Sequence, residues 1–168
     1  MIKTIQEKDL IFDVATALRY ERFDDDAIHG TRSTMKRVDF IIEGDEEVTF
    51  LEVKDPDMPG ARDPEKLLQD LKKDILIPEL AGKYRDSLLF SFLRGGYDKP
   101  IKYIVLLSMA SLDDALILRK IDELRFAIPL TNSQWRQNSA YSCVILKLGA
   151  YKQAFGDQSV WRASDYED

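Results

Sequence analysis

From Ile101 to Met109 the chain reads Ile-Lys-Tyr-Ile-Val-Leu-Leu-Ser-Met, and this nearly unbroken apolar run restricts the fold more than any other segment. A strand with one wet face alternates apolar and polar residues. A run this apolar is expected of a central strand covered on both faces, which requires a sheet with layers packed on each side. The 168 residues, 45% hydrophobic and 32% charged, suit one globular domain spanning 1–168. The single Cys143 excludes an internal disulfide and a Cys-based zinc or iron–sulfur site; it reads as a small buried hydrophobe in a strand, compatible with a reducing cytoplasm.

Periodicity and breakers place the other elements. Leu10, Val14, Ala17 and Leu18 recur at helical spacing, which predicts a first helix from Thr4 to about Phe23, ended by Asp24-Asp25-Asp26. Strand-like runs follow at Lys36–Ile42 and Val48–Val53, separated by Gly44-Asp45 turn chemistry. Asp63-Pro64-Glu65 reads as N-cap, N1 proline and first-turn acid of a second helix that carries Leu67, Leu68, Leu71 and Ile75. Pro78 kinks or stops it, and the helical pattern resumes through Leu93 before Gly95-Gly96. Ser111 is expected to cap a third helix, and Tyr141–Leu148 to form a last strand. The order α-β-β-α-β-α-β predicts an α/β fold, a mixed sheet flanked by helices.

The two central runs form a hairpin whose alternation sorts its side chains. Val38, Phe40, Ile42, Leu51 and Val53 share one face; Arg37, Asp39, Ile41, Phe50, Glu52 and Lys54 share the other. A four-residue loop from Gly44 to Glu47 sets Asp39 directly opposite Glu52, and a two-residue loop sets them diagonally; both keep the parity. Opposed residues have Cβ atoms about 4.5–5.5 Å apart, where like charges repel unless something positive lies between them. A divalent ion with hard oxygen ligands meets that need: magnesium is usually held by one or two carboxylates, waters and substrate phosphate oxygens. Lys54, two residues beyond Glu52 on the same face, adds an ammonium able to orient a water, stabilise developing phosphoryl charge or, with a lowered pKa, act as a base.

Asp39, a twelve-residue gap, and Glu52-Val53-Lys54 within Phe50-Leu51-Glu52-Val53-Lys54 together resemble the D…(D/E)xK signature of the PD-(D/E)xK, restriction-endonuclease-like nuclease superfamily. Val38 stands where the eponymous proline would be, a common variation. The resemblance covers roughly residues 7–109 and implies a restriction-endonuclease-like core of order α-β-β-(β)-α-β, leaving 110–168 as decoration that includes a helix and a strand. Only two strands are recognisable before the second helix, so a further strand would lie in Thr31–Lys36 or be absent. By this resemblance Asp39 and Glu52 would bind Mg²⁺ or Mn²⁺, and Lys54 would be the catalytic lysine. Phe12-Asp13 is similar to the aromatic-acid pair that several branches carry on their first helix, which makes Asp13 a third ligand candidate. Many members present a Gln or Lys on the helix after the signature; Gln69 is the choice here, with Lys66 and Lys73 on the same face. The implied activity is hydrolysis of nucleic acid, DNA before RNA, by metal-activated water.

The remaining features are weaker. Arg32, Lys36 and Arg37, with Arg62, Lys66, Lys72 and Lys73, are candidate phosphate contacts or ordinary surface charge. His29 reads as a polar loop residue, and Trp135 and Trp161 as core or oligomer contacts. Twenty-four Lys+Arg against 30 Asp+Glu give a net charge of −6, which argues against coating nucleic acid through bulk charge and predicts weak binding by the isolated chain. The opening residues are too charged for a signal peptide and no run is long enough for a membrane span, so membrane association is not expected. Neither a phosphate-loop lysine motif nor a GxGxxG is present. The alternative to a nuclease is a nuclease-like scaffold without catalysis, an interaction module whose acidic tips face a protein partner or a second copy.

Overall fold

A computed structural model describes residues 3–166. The expected central strand is β6 (Ile101–Leu107), and its neighbours make a five-stranded mixed sheet ordered β3-β4-β5-β6-β7. Here β3 (Arg19–Arg22), β4 (Phe40–Glu43) and β5 (Val48–Lys54) run antiparallel, while β5, β6 and β7 (Ser142–Leu146) are parallel. Every β6 residue except Lys102 is buried, and the apolar run is explained by two separate cores. On one face Phe50, Tyr103 and Val105 pack under α2 (Pro64–Lys72), α3 (Leu76–Leu93) and α4 (Asp114–Ala127). On the other, Phe40, Leu51, Ile104 and Leu106 meet Phe12, Tyr151 of α5 (Leu148–Phe155) and Val160. Cys143 is buried in β7, and burial pushes its thiol up to about 12, which leaves it inert.

The helix expected over residues 4–23 does not form. That segment makes β1 (Thr4–Glu7) and β2 (Leu10–Asp13), a hairpin turning at Lys8-Asp9, and then β3. With β8 (Val160–Arg162), β1 and β2 build a second, antiparallel sheet. Alternation wins over the apparent helical period because Ile5, Leu10, Phe12 and Val14 all enter one core. Thr31–Lys36 forms no strand; β4 is instead joined at its free side by β3, from which a single helical turn, α1 (Asp26–His29), separates it in the chain. The segment after 109, expected as decoration, completes both sheets through β7 and β8.

Other boundaries shift for local reasons. Asp63 caps α2 by accepting from the Lys66 N–H, as its sequence indicates. The break before α3 falls at Asp74, which takes a positive φ of 59°, so Pro78 sits in the first turn of α3, where its missing N–H costs little. Asp113, not Ser111, caps α4, accepting from the Leu116 N–H. No helix among the described residues is long and apolar enough to cross a membrane.

Candidate active site

The β4–β5 connection is the four-residue loop Gly44–Glu47, closed by the Gly44 N–H donating to the Glu47 carbonyl at 2.9 Å. The ladder pairs Phe40 with Leu51, so one further step outward sets Asp39 against Glu52. Asp39 precedes the strand proper. It is held by backbone bonds of its neighbours: the Lys36 N–H donates to Asp86 Oδ2, the Val38 N–H to Ser87 Oγ, and the Phe23 N–H to the Asp39 carbonyl. The stem of Lys36 crosses α3 at Gly82, where a Cβ would come within 3.0 Å of Lys36 Cδ, so the glycine admits the close approach of this segment.

Both carboxylates are buried, Glu52 at 0% and Asp39 at 6% exposure. Asp39 Oδ2 accepts the Val53 N–H at 2.6 Å. Two lysines reach Glu52 Oε1, Lys83 Nζ at 2.6 Å and Lys54 Nζ at 3.0 Å, and Lys83 also lies 3.8 Å from Asp39 Oδ1. Lys54 is steadied at its far side by Glu79 Oε1 at 3.2 Å. Glu52 Oε2 is buried and has no hydrogen-bond partner.

Burial raises the Asp39 carboxyl to about 7, the Glu52 charge adds to it, and Lys83 and the Val53 N–H only partly oppose them. Glu7, at the end of β1, adds a smaller upward push. In neutral solution the Asp39 carboxyl therefore holds its proton about half of the time, because burial and the neighbouring Glu52 charge both disfavour its ionisation. Burial acts to lower the Lys54 ammonium, but Glu52 and Glu79 outweigh it, and the net shift is upward. Lys54 is thus a fixed cation in this arrangement; the option of a lysine base is not favoured.

Three of the five residues singled out from sequence converge: Asp39, Glu52 and Lys54. Asp13 does not join them. It is exposed on β2, at the opposite end of the β1–β2 hairpin from Glu7, and accepts the Ala15 N–H at 2.8 Å. Gln69 is exposed on α2, as are Lys66 and Lys73, and none contacts the acid pair among the described residues. His29 packs between Phe23 and Phe90 with Nε2 2.7 Å from the Phe23 carbonyl, a structural place. Glu79 and Lys83 are the residues that sequence reading missed. They lie at i and i+4 of α3, and the available signal was a lysine embedded among Leu80, Ala81, Gly82 and Tyr84, all buried.

Among the described residues no three His, Cys, Asp or Glu side chains gather as a metal-holding group. Two carboxylates suffice for a magnesium-type site that keeps waters and takes further oxygens from substrate. Glu52, through its orphaned Oε2, and Asp39 are the residues that would hold such an ion, whose charge would offset theirs. No protein-family model matches this chain, and no curated protein and no solved structure matches it.

Proposed function

We propose that the chain is a metal-dependent phosphodiesterase acting on nucleic acid, DNA before RNA, with Asp39, Glu52 and Lys54 at its centre and Lys83 and Glu79 as their positioning partners. The observation that carries this reading is the fully buried Glu52, opposed to a buried Asp39 and touched by two ammonium groups. A purely structural strand would place apolar residues there at less cost. The D…(D/E)xK spacing supports the same reading, as does an acid pair near the ends of strands that run parallel to one another, where ligands of α/β sheets bind. The restriction-endonuclease-like core is part of the proposal. The antiparallel β3-β4-β5 followed by helices and the parallel β6 supports it, while strands at 4–22 in place of an opening helix depart from it.

A bound ion would supply Lewis acidity toward a phosphoryl oxygen and acidify a water. The residues of this chain do the rest. Lys54, charged and aimed by Glu79, stabilises negative charge building on the phosphoryl oxygens. Lys83 balances Glu52 and Asp39, and its ammonium would be a second cation for phosphate. Asp39 holds or releases its proton according to what occupies the site.

The test is cleavage of supercoiled plasmid and of a single-stranded oligonucleotide with Mg²⁺ or Mn²⁺, comparing wild type with Glu52→Ala and Lys54→Ala. Loss of about 10²-fold or more in each variant is expected. Equal rates in wild type and both folded variants would sink the assignment. The reading as an inactive scaffold has one observation in its favour: Lys83 already neutralises Glu52 from 2.6 Å. Calorimetric titration with Mn²⁺ separates the two, because a scaffold predicts no heat that depends on Glu52.

A further inference from the structure

On the flank of α3 away from the acid pair lies a groove of ≈ 530 Å³, walled on one side by Leu88, Leu89 and Phe92 and on the other by Ile128, Pro129 and Trp135. Arg85, which also lines it, is two residues beyond Lys83 and so about 200° around the helix axis from the site. Leu89 is 52%, Phe92 67% and Trp135 44% exposed. A contiguous apolar surface of this kind on a folded chain marks something that docks there.

Its charge says what. Arg85 is the only charged residue lining the groove. Among the described residues its guanidinium has no ion-pair partner and is free to meet an incoming carboxylate. In a chain of net charge −6, a largely apolar groove lined by no acid and by one unpaired arginine complements an acidic, amphipathic surface. Aliphatic and aromatic side chains share the walls, and no lysine lines them to track a phosphate backbone, which suits a helix laying apolar side chains into a groove better than a strand of stacked bases.

The groove is also held open without an occupant. The Tyr84 hydroxyl donates to the Ser139 carbonyl, the Ser139 N–H to the Leu130 carbonyl at 2.9 Å, and Ser139 Oγ to the Pro129 carbonyl at 2.7 Å. The first bond ties the 129–139 loop to α3 and the other two close the loop on itself, so docking would order little that is not already ordered. We propose that this groove is a docking site for an acidic amphipathic helix of a protein partner, with apolar side chains at i, i+3 or i+4, and i+7 between Leu89 and Trp135, and a flanking Asp or Glu on Arg85. The site stands apart from the acid pair and does not depend on its chemistry.

The experiment pans a displayed library of 16-residue peptides against the full chain. Enriched sequences are then measured by fluorescence anisotropy on wild type, Leu89→Asp, Arg85→Glu and Leu118→Asp, the last an exposed α4 position outside the groove. Acid-flanked sequences with helical apolar spacing are expected, with Kd weakened at least tenfold by Leu89→Asp and by Arg85→Glu and unchanged by Leu118→Asp. Arg85 is a surface charge, so Arg85→Glu keeps the test valid if Leu89→Asp fails to fold. Enrichment of basic sequences, or of none sensitive to Leu89 or Arg85, would overturn the proposal. So would a concentration-dependent dimer lost in Leu89→Asp, which assigns the groove to a second copy, or single-stranded DNA binding lost in Arg85→Glu, which assigns it to nucleic acid.

Discussion

Asp39 is the residue whose chemistry can be read most directly. Its carboxyl is raised from 3.8 to about 7 because burial and the Glu52 charge both disfavour ionisation. The folded chain therefore holds this proton at pH values where the unfolded chain has released it. The sign follows: the stability tied to the proton is fully present below about pH 4 and is lost as pH rises through about 7, with a slope approaching 1.4 kcal/mol per pH unit within that window. Other acids with lowered pKa values, such as Asp9 and Glu47, act in the opposite direction, so the comparison must be made within one background. Urea unfolding of wild type and Asp39→Asn in chelator, from pH 4 to 7.5, is expected to show Asp39→Asn gaining stability relative to wild type as pH rises. Parallel pH profiles would remove the acid pair as a coupled unit. An Asn at this position keeps an oxygen for the Val53 N–H, so the comparison isolates the charge.

At the scale of elements, the hairpin was legible because alternation is a two-residue period and both plausible loops preserve it. Phe40, Leu51 and Val53 indeed face one core and Ile41 and Phe50 the other; Val38, which precedes the strand, turns to the α3 side instead. The opening residues were not legible. Their turn is Lys8-Asp9, with Lys8 at φ 53° and no glycine or asparagine to mark it, and the short strands around it mimic a helical stripe. Nor could sequence foresee that Asp9 and Asp55 meet Arg162 from the far end of the chain. Arg162 makes a fork of two 2.9 Å bonds to Asp55 and reaches Asp9 and Ser108 at 2.8 Å, tying β8 to the residue that follows Lys54. The side chain of Asp55 is only 1% exposed, so removing its partner leaves a buried, uncompensated charge. Thermal and urea unfolding of Arg162→Ala should show a loss of about 3 kcal/mol or more, with Arg162→Lys recovering part because an ammonium cannot reproduce the planar fork. A loss under 1 kcal/mol would mean that β8 is held by packing alone. Glu79 and Lys83 escaped the sequence reading for a related reason: which face of α3 meets the hairpin depends on the break at Asp74, visible only in the fold.

For the molecule as a whole, the net charge of −6 sets how nucleic acid would be held. Within the acid pair the positive charge is already committed, Lys83 to Glu52 and Lys54 to Glu52 and Glu79. Of the basic residues that the sequence offers as phosphate contacts, Arg62, Lys66, Lys72 and Lys73 are exposed at or beside α2 and without ion-pair partners among the described residues. Each phosphate neutralised contributes about −0.9 to the slope of log K against log salt on duplex DNA, so engaging no more than these four gives a slope no steeper than about −4. Repulsion from the acidic body weakens the affinity further, and a Kd above about 10⁻⁵ M at 0.15 M salt without divalent ion is expected for the isolated chain. Titrating a labelled duplex at several salt concentrations checks both numbers. The double change Lys72→Glu and Lys73→Glu should flatten the slope by about 2 while leaving the fold intact, since both side chains are exposed. Tight metal-free binding in moderate salt would show that a different and more basic surface holds the nucleic acid. An unchanged slope in that double variant would move the phosphate contacts away from α2.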